Sequence, residues 1–376
     1  MGRKKGVALS AILMITEVFS TLLLTPFMIR ALGQAEYGVY KLTSSVSTYL
    51  MLLDLGMSGA VIRFIASYKE RQDHEKLNQF FGVSQLYYLA IALIAGICGV
   101  VIYFLYPTVF AVGLTPEEVS LAQTLLLILA ANAVITLGTS VFRNAMIAYS
   151  AFGAAKGSGI IRNVLRILIT WLALRAGLGS VAVVSINLLL TTIERGYFVL
   201  YVFKNFHIRP CLRGVTRSFV SEIVGYSSLI LLQLVATQIN DQAGSVLLGM
   251  FVPGAALVIA VYGVGTQVVQ YFKSIASAFT DVLMPGVVRL VEHGADAAAL
   301  QHEMSRVGRI IMLVLLAILS GFSIYGMQFI ELWAGGEYRE AYCVALVLMT
   351  AFMFICTEYI GNQIMWQKII TRNWQL

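Results

Sequence analysis

Residues 7–29 read VALSAILMITEVFSTLLLTPFMI, directly after the basic cluster Arg3, Lys4 and Lys5. About 20 mostly apolar residues are enough to cross the hydrocarbon core of a bilayer as a helix. The run is continuous and does not alternate apolar with polar, so it reads as a helix and not as a barrel strand. A basic flank before an apolar run also suits a signal peptide. No A-x-A-like cleavage site follows, however, and more apolar runs do, so a retained first helix is expected.

Nine further runs of this kind lie downstream, at residues 39–63, 86–106, 121–141, 159–174, 181–203, 223–251, 255–288, 310–330 and 342–366. Those beginning at 223, 255 and 342 exceed one span, which predicts tilt, kinks or extensions beyond the bilayer. Composition agrees: of 376 residues, 59% are hydrophobic and 12% charged, against about 25% charged in a soluble domain. Mean hydropathy is +0.82. Too few charges remain to solvate a globular surface of this size. The fold expected is an all-α polytopic membrane protein of about ten transmembrane helices.

The net charge of +7 is explained by topology before nucleic-acid binding, because basic loops orient membrane helices. Most of the 26 Lys and Arg fall in connectors on one side, including Arg63, Arg143, Arg162, Arg166, Arg217 and Arg289. Arg30, Lys41, Arg175 and Arg339 lie on the other. This asymmetry predicts a cytoplasmic N-terminus. Connectors are too short for a soluble catalytic domain, and no GxxxxGK[ST] loop is present, so neither an enzyme nor an ATPase is expected. The four Cys show no CxxC spacing, and His74, His207, His293 and His302 show no HxxH or HExxH spacing, so no metal site is expected. No basic-aromatic pattern points to nucleic acid.

Tyr37-Gly38-Val39 recurs as Tyr262-Gly263-Val264, and Ala60-Val61-Ile62-Arg63 is echoed by Gly286-Val287-Val288-Arg289 in the same order. Six apolar runs separate the copies, and an even number keeps both halves parallel, a known transporter plan with the path between lobes. The expected lobes are 1–217, with six helices, and 218–376, with about four. Asn144 corresponds to Asn362, after which the second lobe is incomplete relative to the first.

Charges at bilayer depth mark function unless they are paired. Glu17, Asp54 and Asp241 are acids at mid-depth, with Lys273 the base among them. Their excess negative charge suggests H+ or Na+ coupling. The alternative for Asp241 and Lys273 is an interhelical ion pair. Glu194 and Arg195 read as residues that snorkel to the interface. Pro26 and Pro285 interrupt helical runs and are hinge candidates. Lys41, Thr43, Ser44, Ser45, Ser47 and Thr48 form a polar row that suits a hydrated cavity or another helix. Tyr87, Tyr88, Tyr103 and Tyr106 read as interfacial belt residues.

The segments Arg30-Ala31-Leu32-Gly33, Tyr37-Gly38-Val39-Tyr40, Asp54-Leu55-Gly56 and Arg63 resemble a polysaccharide repeat-unit flippase of the multidrug/oligosaccharidyl-lipid/polysaccharide exporter superfamily. The likeness continues through Tyr262-Gly263-Val264 and Pro285 to Arg289. It implies alternating access between two lobes and transfer of an undecaprenyl-diphosphate-linked glycan from the cytosolic to the outer leaflet of a bacterial cytoplasmic membrane. It also implies a cationic cavity for the diphosphate, for which Arg30, Arg63, Lys273 and Arg289 are the candidates. Membrane lipids, a polysaccharide polymerase and chain-length machinery would be partners, and no cofactor is implied beyond a coupling ion. The alternatives are a cation-coupled multidrug exporter of the same superfamily and a non-transporting truncated paralogue.

Overall fold

The computed structural model describes residues 2–206, 208, 210–211, 217–292 and 297–355. Eleven helices are described: α1 (Gly2–Thr48), α2 (Met57–Glu70), α3 (His74–Val109), α4 (Pro116–Gly138), α5 (Ser140–Ala148), α6 (Phe152–Arg175), α7 (Ser180–Phe206), α8 (Arg217–Phe251), α9 (Ala255–Glu292), α10 (Ala297–Trp333) and α11 (Ala341–Ile355). There is no strand among the described residues. Seven helical segments are long and apolar enough to cross a membrane, with Ile12–Glu70 taken as one. Among the described residues the apolar runs read from the sequence fall on helix apart from short interruptions, and the protein is an all-α multi-pass membrane protein.

Local sequence sets the helix ends. Asp73 caps α3 by accepting the Lys76 N–H at 3.0 Å. Thr115 and Glu118 form a capping box at α4, and Pro116 opens the helix where its missing N–H costs nothing. Thr115→Ala should lower stability by about 1 kcal/mol, read as an earlier unfolding midpoint of the purified protein in detergent.

The run expected as one span over residues 39–63 is divided. The helical run from Gly2 breaks its φ/ψ at Gly33 (φ 75°), continues to Thr48, tightens to a 3-10 turn at Tyr49–Asp54, and restarts at Met57. Leu55 and Gly56 are both left-handed (φ 52° and 75°), so the Asp54-Leu55-Gly56 motif is a break and not mid-helix. Apolar periodicity carries no information about φ, which is why the sequence reads through it.

The chain divides into two compact units, Met1–Ala260 and Val261–Leu376. In the first, α1 packs on α4, α6 and α8, while α3 packs on α4, and α7 on both α4 and α6. One core there gathers Val61, Ile65, Phe80, Phe81, Tyr88, Phe142 and Phe198. Another joins Val39 and Leu42 to Tyr106, Phe110, Leu126, Ala256 and Ile259. Tyr88 and Tyr106 are therefore core residues at 0% exposure, which corrects the expectation that they belong to an interfacial belt. Their hydroxyls are held in place: Thr43 Oγ1 is 3.2 Å from Tyr106, and Ser58 Oγ 3.1 Å from Tyr88. Thr43 of the polar row thus faces another helix, while Ser47 and Thr48 donate to the Ser44 carbonyl of their own helix. In the second unit, Val268, Phe272, Ile311, Leu315, Ala345 and Met349 form the core of α9, α10 and α11. Phe104 (72% exposed), Leu200 (72%) and Leu332 (81%) point away from the packing, as lipid-facing side chains do.

Candidate functional site

The feature of the first unit that composition does not explain is a group of arginines where α1, α5, α6 and α7 meet. Arg162 and Arg166 are four residues apart on α6, one turn above the other on the same helix flank. Arg166 Nη2 donates to Ser20 Oγ of α1 at 2.9 Å and lies within electrostatic range of Glu17, Tyr40 and Arg162. Arg162 Nη1 pairs with Glu194 Oε2 of α7 at 3.2 Å. The neighbouring Arg195 is 9% exposed, lies over the Phe198 ring at 5.6 Å, and is within electrostatic range of Arg143, Glu194 and Arg162.

Glu194, also 9% exposed, is buried against α6, so neither it nor Arg195 snorkels to an interface. That corrects the sequence reading. The reason is tertiary: α6 supplies a partner that the α7 sequence does not contain.

Hydrogen bonding in the cluster is incomplete. Arg195 Nε and Nη1, Arg162 Nε and Arg166 Nε are buried with no hydrogen-bond partner among the described residues. Arg162, Arg166 and Arg195, with exposed Arg143 within electrostatic range, are met by Glu194 and by exposed Glu17, so positive charge is in excess. A buried guanidinium left so costs several kcal/mol unless an anion meets it. Its planar fork of donors matches phosphate oxygens two at a time. Beside the cluster, a cavity of about 460 Å³ opens between α6 and α7, lined by Gly153, Gly157, Ile161, Arg162, Leu165, Ile193, Glu194 and Tyr197. Nothing lies within 4 Å of where a Cβ on Gly153 or Gly157 would sit, so those glycines keep one wall open.

The residues singled out from sequence are dispersed. Glu17, exposed on α1, stands beside the cluster through Arg166. Arg30 is exposed further along the same run, past Pro26, which stays within helix; the departure from helical φ/ψ is at Gly33. Asp54 belongs to a different network: it accepts the Ser58 O–H at 3.0 Å and the Ser58 N–H at 3.4 Å, and Asn144 Nδ2 donates to Ser58 Oγ and Tyr88 at 3.1 and 3.2 Å. Arg63 is half-buried on α2, and Asp241 half-buried on α8. In the second unit Lys273 rests on the Phe352 ring, 3.4 Å from its centroid. The side chains of Pro285 and Arg289, and Asn362 altogether, lie outside the described residues. Sequence reasoning passed over Arg162, Arg166 and Arg195 because the positive-inside pattern accounted for the first two. The overlooked signal was two arginines one turn apart within the apolar stretch of α6.

Helical architecture defines a multi-pass membrane protein, one with a group of arginines buried between its helices. The chain belongs to the family described as polysaccharide biosynthesis protein, whose model matches residues 3–291. Over 64 residues it is 31% identical to the "Uncharacterized membrane protein EpsK" of Bacillus subtilis (strain 168), covering 17% of this chain and 13% of that one. The match thus spans about an eighth of that relative's length. Among solved structures, it is similar to an inward-facing conformation of a multidrug resistance MATE family transporter of the MOP superfamily (TM-score 0.68, 17% identity, 93% of this chain and 83% of that one). It is also similar to a MOP superfamily transporter from Pyrococcus furiosus Vc1 (DSM3638), for which reverse polarity of the binding pocket suggests a different function (TM-score 0.61, 18% identity, 97% and 85%). At these identities the structural likeness concerns the fold.

Proposed function

We propose that this transporter flips a polyprenyl-diphosphate-linked oligosaccharide from the cytosolic to the outer leaflet of a bacterial cytoplasmic membrane during surface polysaccharide biosynthesis. Family membership supports a role in that biosynthesis. The single observation that carries the cargo chemistry is the set of buried, unpartnered guanidinium donors on Arg162, Arg166 and Arg195. A diphosphate and its glycan cannot enter hydrocarbon unaided, whereas a polyprenyl tail never needs to leave it. A protein moving such a molecule needs fixed cations for the headgroup, and this interior supplies them.

In this reading the N-terminus is cytoplasmic, and lobes 1–217 and 218–376 alternate access about Pro26 and Pro285. Arg30, Arg63, Lys273 and Arg289 are the further candidates for contact with the diphosphate in this reading. Glu17, Asp54 and Asp241 are the candidates for H+ or Na+ coupling, Glu17 best placed because it stands beside Arg166. Polymerase and chain-length proteins would receive the product.

The second reading, a cation-coupled multidrug exporter, has the MATE-like fold behind it. One experiment separates the two. Polyprenyl-linked saccharides are extracted from cells with and without the gene and weighed by mass spectrometry. Accumulation of one lipid-linked oligosaccharide in the knockout, cleared by reintroducing the gene, is expected. An unchanged lipid pool together with altered drug susceptibility would replace the flippase with the exporter.

A further inference from the structure

We infer that Glu194 is an internal anion that holds Arg162 in the empty site and is displaced from it by the incoming diphosphate. This rests on the reading of the arginine cluster as a diphosphate site and adds a mechanism for tuning it.

Geometry carries the argument. Glu194 reaches across from α7 to α6, and its Oε2 lies 3.2 Å from Arg162 Nη1, with side-chain exposures of 9% and 27%. Both side chains also line the cavity between these helices, so a ligand in that cavity meets the pair itself. Gly159 packs α6 against α1 beside the pair: a Cβ there would lie 3.1 Å from Leu13 and in ordinary contact, 3.7 Å, with Glu194 Oε1. The charged groups around Glu194 are Arg162 from α6, Arg195 beside it on α7 and, acting on Arg195, Arg143 from α5; Glu17 and Tyr40 of α1 act through Arg166.

Arg162 gives Glu194 one arm while its Nε stays unpartnered, and Arg195 has two further donors in the same condition. A carboxylate cannot satisfy all of these. A diphosphate carries more charge and more oxygens, so from the cavity it can engage the Arg162 guanidinium with two oxygens at once. It cannot do so with Glu194 in place, because like charges in a low-dielectric interior repel strongly. Exchange of one anion for another keeps Arg162 compensated in both states. It also lowers net affinity, because each binding event must first break the pair, and a transporter that must release its cargo benefits from that.

The test uses full-length protein in nanodiscs, titrated with undecaprenyl diphosphate and read by native mass spectrometry. Glu194→Gln keeps the shape and removes the competing charge, so it should bind about tenfold more tightly than wild type, within the usual range of coupling between two interacting ligands. Glu194→Ser should show the same gain, so the result does not hang on the folding of one variant. Arg162→Ala should lose binding. If Arg162→Ala loses binding while both Glu194 variants bind no more tightly than wild type, the displacement is overturned and the diphosphate site stands. If Arg162→Ala binds as wild type does, the diphosphate site itself is overturned and the displacement with it.

Discussion

Gly38→Ala should destabilise the protein by about 3 kcal/mol, the upper end of the usual cost of overpacking, because it forces a side chain into a filled interface. A Cβ on Gly38 would fall on the carbonyl of Ala256, so the α1 run and the start of α9 meet backbone to backbone. The contact sits within the core that also buries Val39, Leu42, Ala256 and Ile259, where exposures of 0–1% leave no free volume to absorb a shift. Nearby, Ala255 N–H donates to the Gly113 carbonyl at 2.8 Å, and a Cβ on Gly113 would fall on the Gly249 carbonyl, so two adjacent glycines fasten the same corner. The measurement is the thermal unfolding midpoint in detergent. Gly153→Ala serves as the control and should leave that midpoint where it is, since its Cβ would meet nothing within 4 Å.

Arg195→Ala should lower glycan-lipid translocation by about 100-fold, the scale for losing a desolvated charged contact of roughly 2–5 kcal/mol. The assay is the lipid-linked oligosaccharide level in knockout cells carrying the variant gene. Arg195→Lys should not restore function, because a point charge cannot supply the Nε and Nη1 donors that stand unpartnered here. Stability should respond in the opposite sense. Removing a buried, under-compensated guanidinium eliminates a desolvation penalty, so Arg195→Ala should unfold no earlier than wild type. A variant that lost both translocation and stability would show that Arg195 holds the bundle together and does not serve cargo.

These outcomes bear on how far the primary structure could be read. The apolar runs announced themselves because each helix must satisfy its own backbone within lipid, and that requirement is local in sequence. Family resemblance was legible for the same reason: Tyr37-Gly38-Val39-Tyr40 and Asp54-Leu55-Gly56 are contiguous words. Gly38 could be seen as part of a motif, but nothing beside it in the chain named Ala256 as the atom group it must admit.

The arginine cluster was harder to see. Arg162 and Arg166 lie on α6, Arg195 and Glu194 on α7, and Ser20 and Glu17 on α1. Read one helix at a time, each is an isolated charge with an ordinary topological explanation. Tyr88 was misread for a related reason, since a tyrosine near a helix end looks like a belt residue until Ser58 and Asn144 are found on its hydroxyl.

The sequence by itself determined that the protein is a bundle of membrane-spanning helices, and to which family it belongs, because hydropathy and short motifs are properties of consecutive residues. The tertiary structure alone decided where the second apolar run breaks, which tyrosines are core, and that arginines from separate helices share one interior. Those facts depend on which helix faces which, a choice made by packing between segments more than a hundred residues apart, as between Ser20 and Arg166.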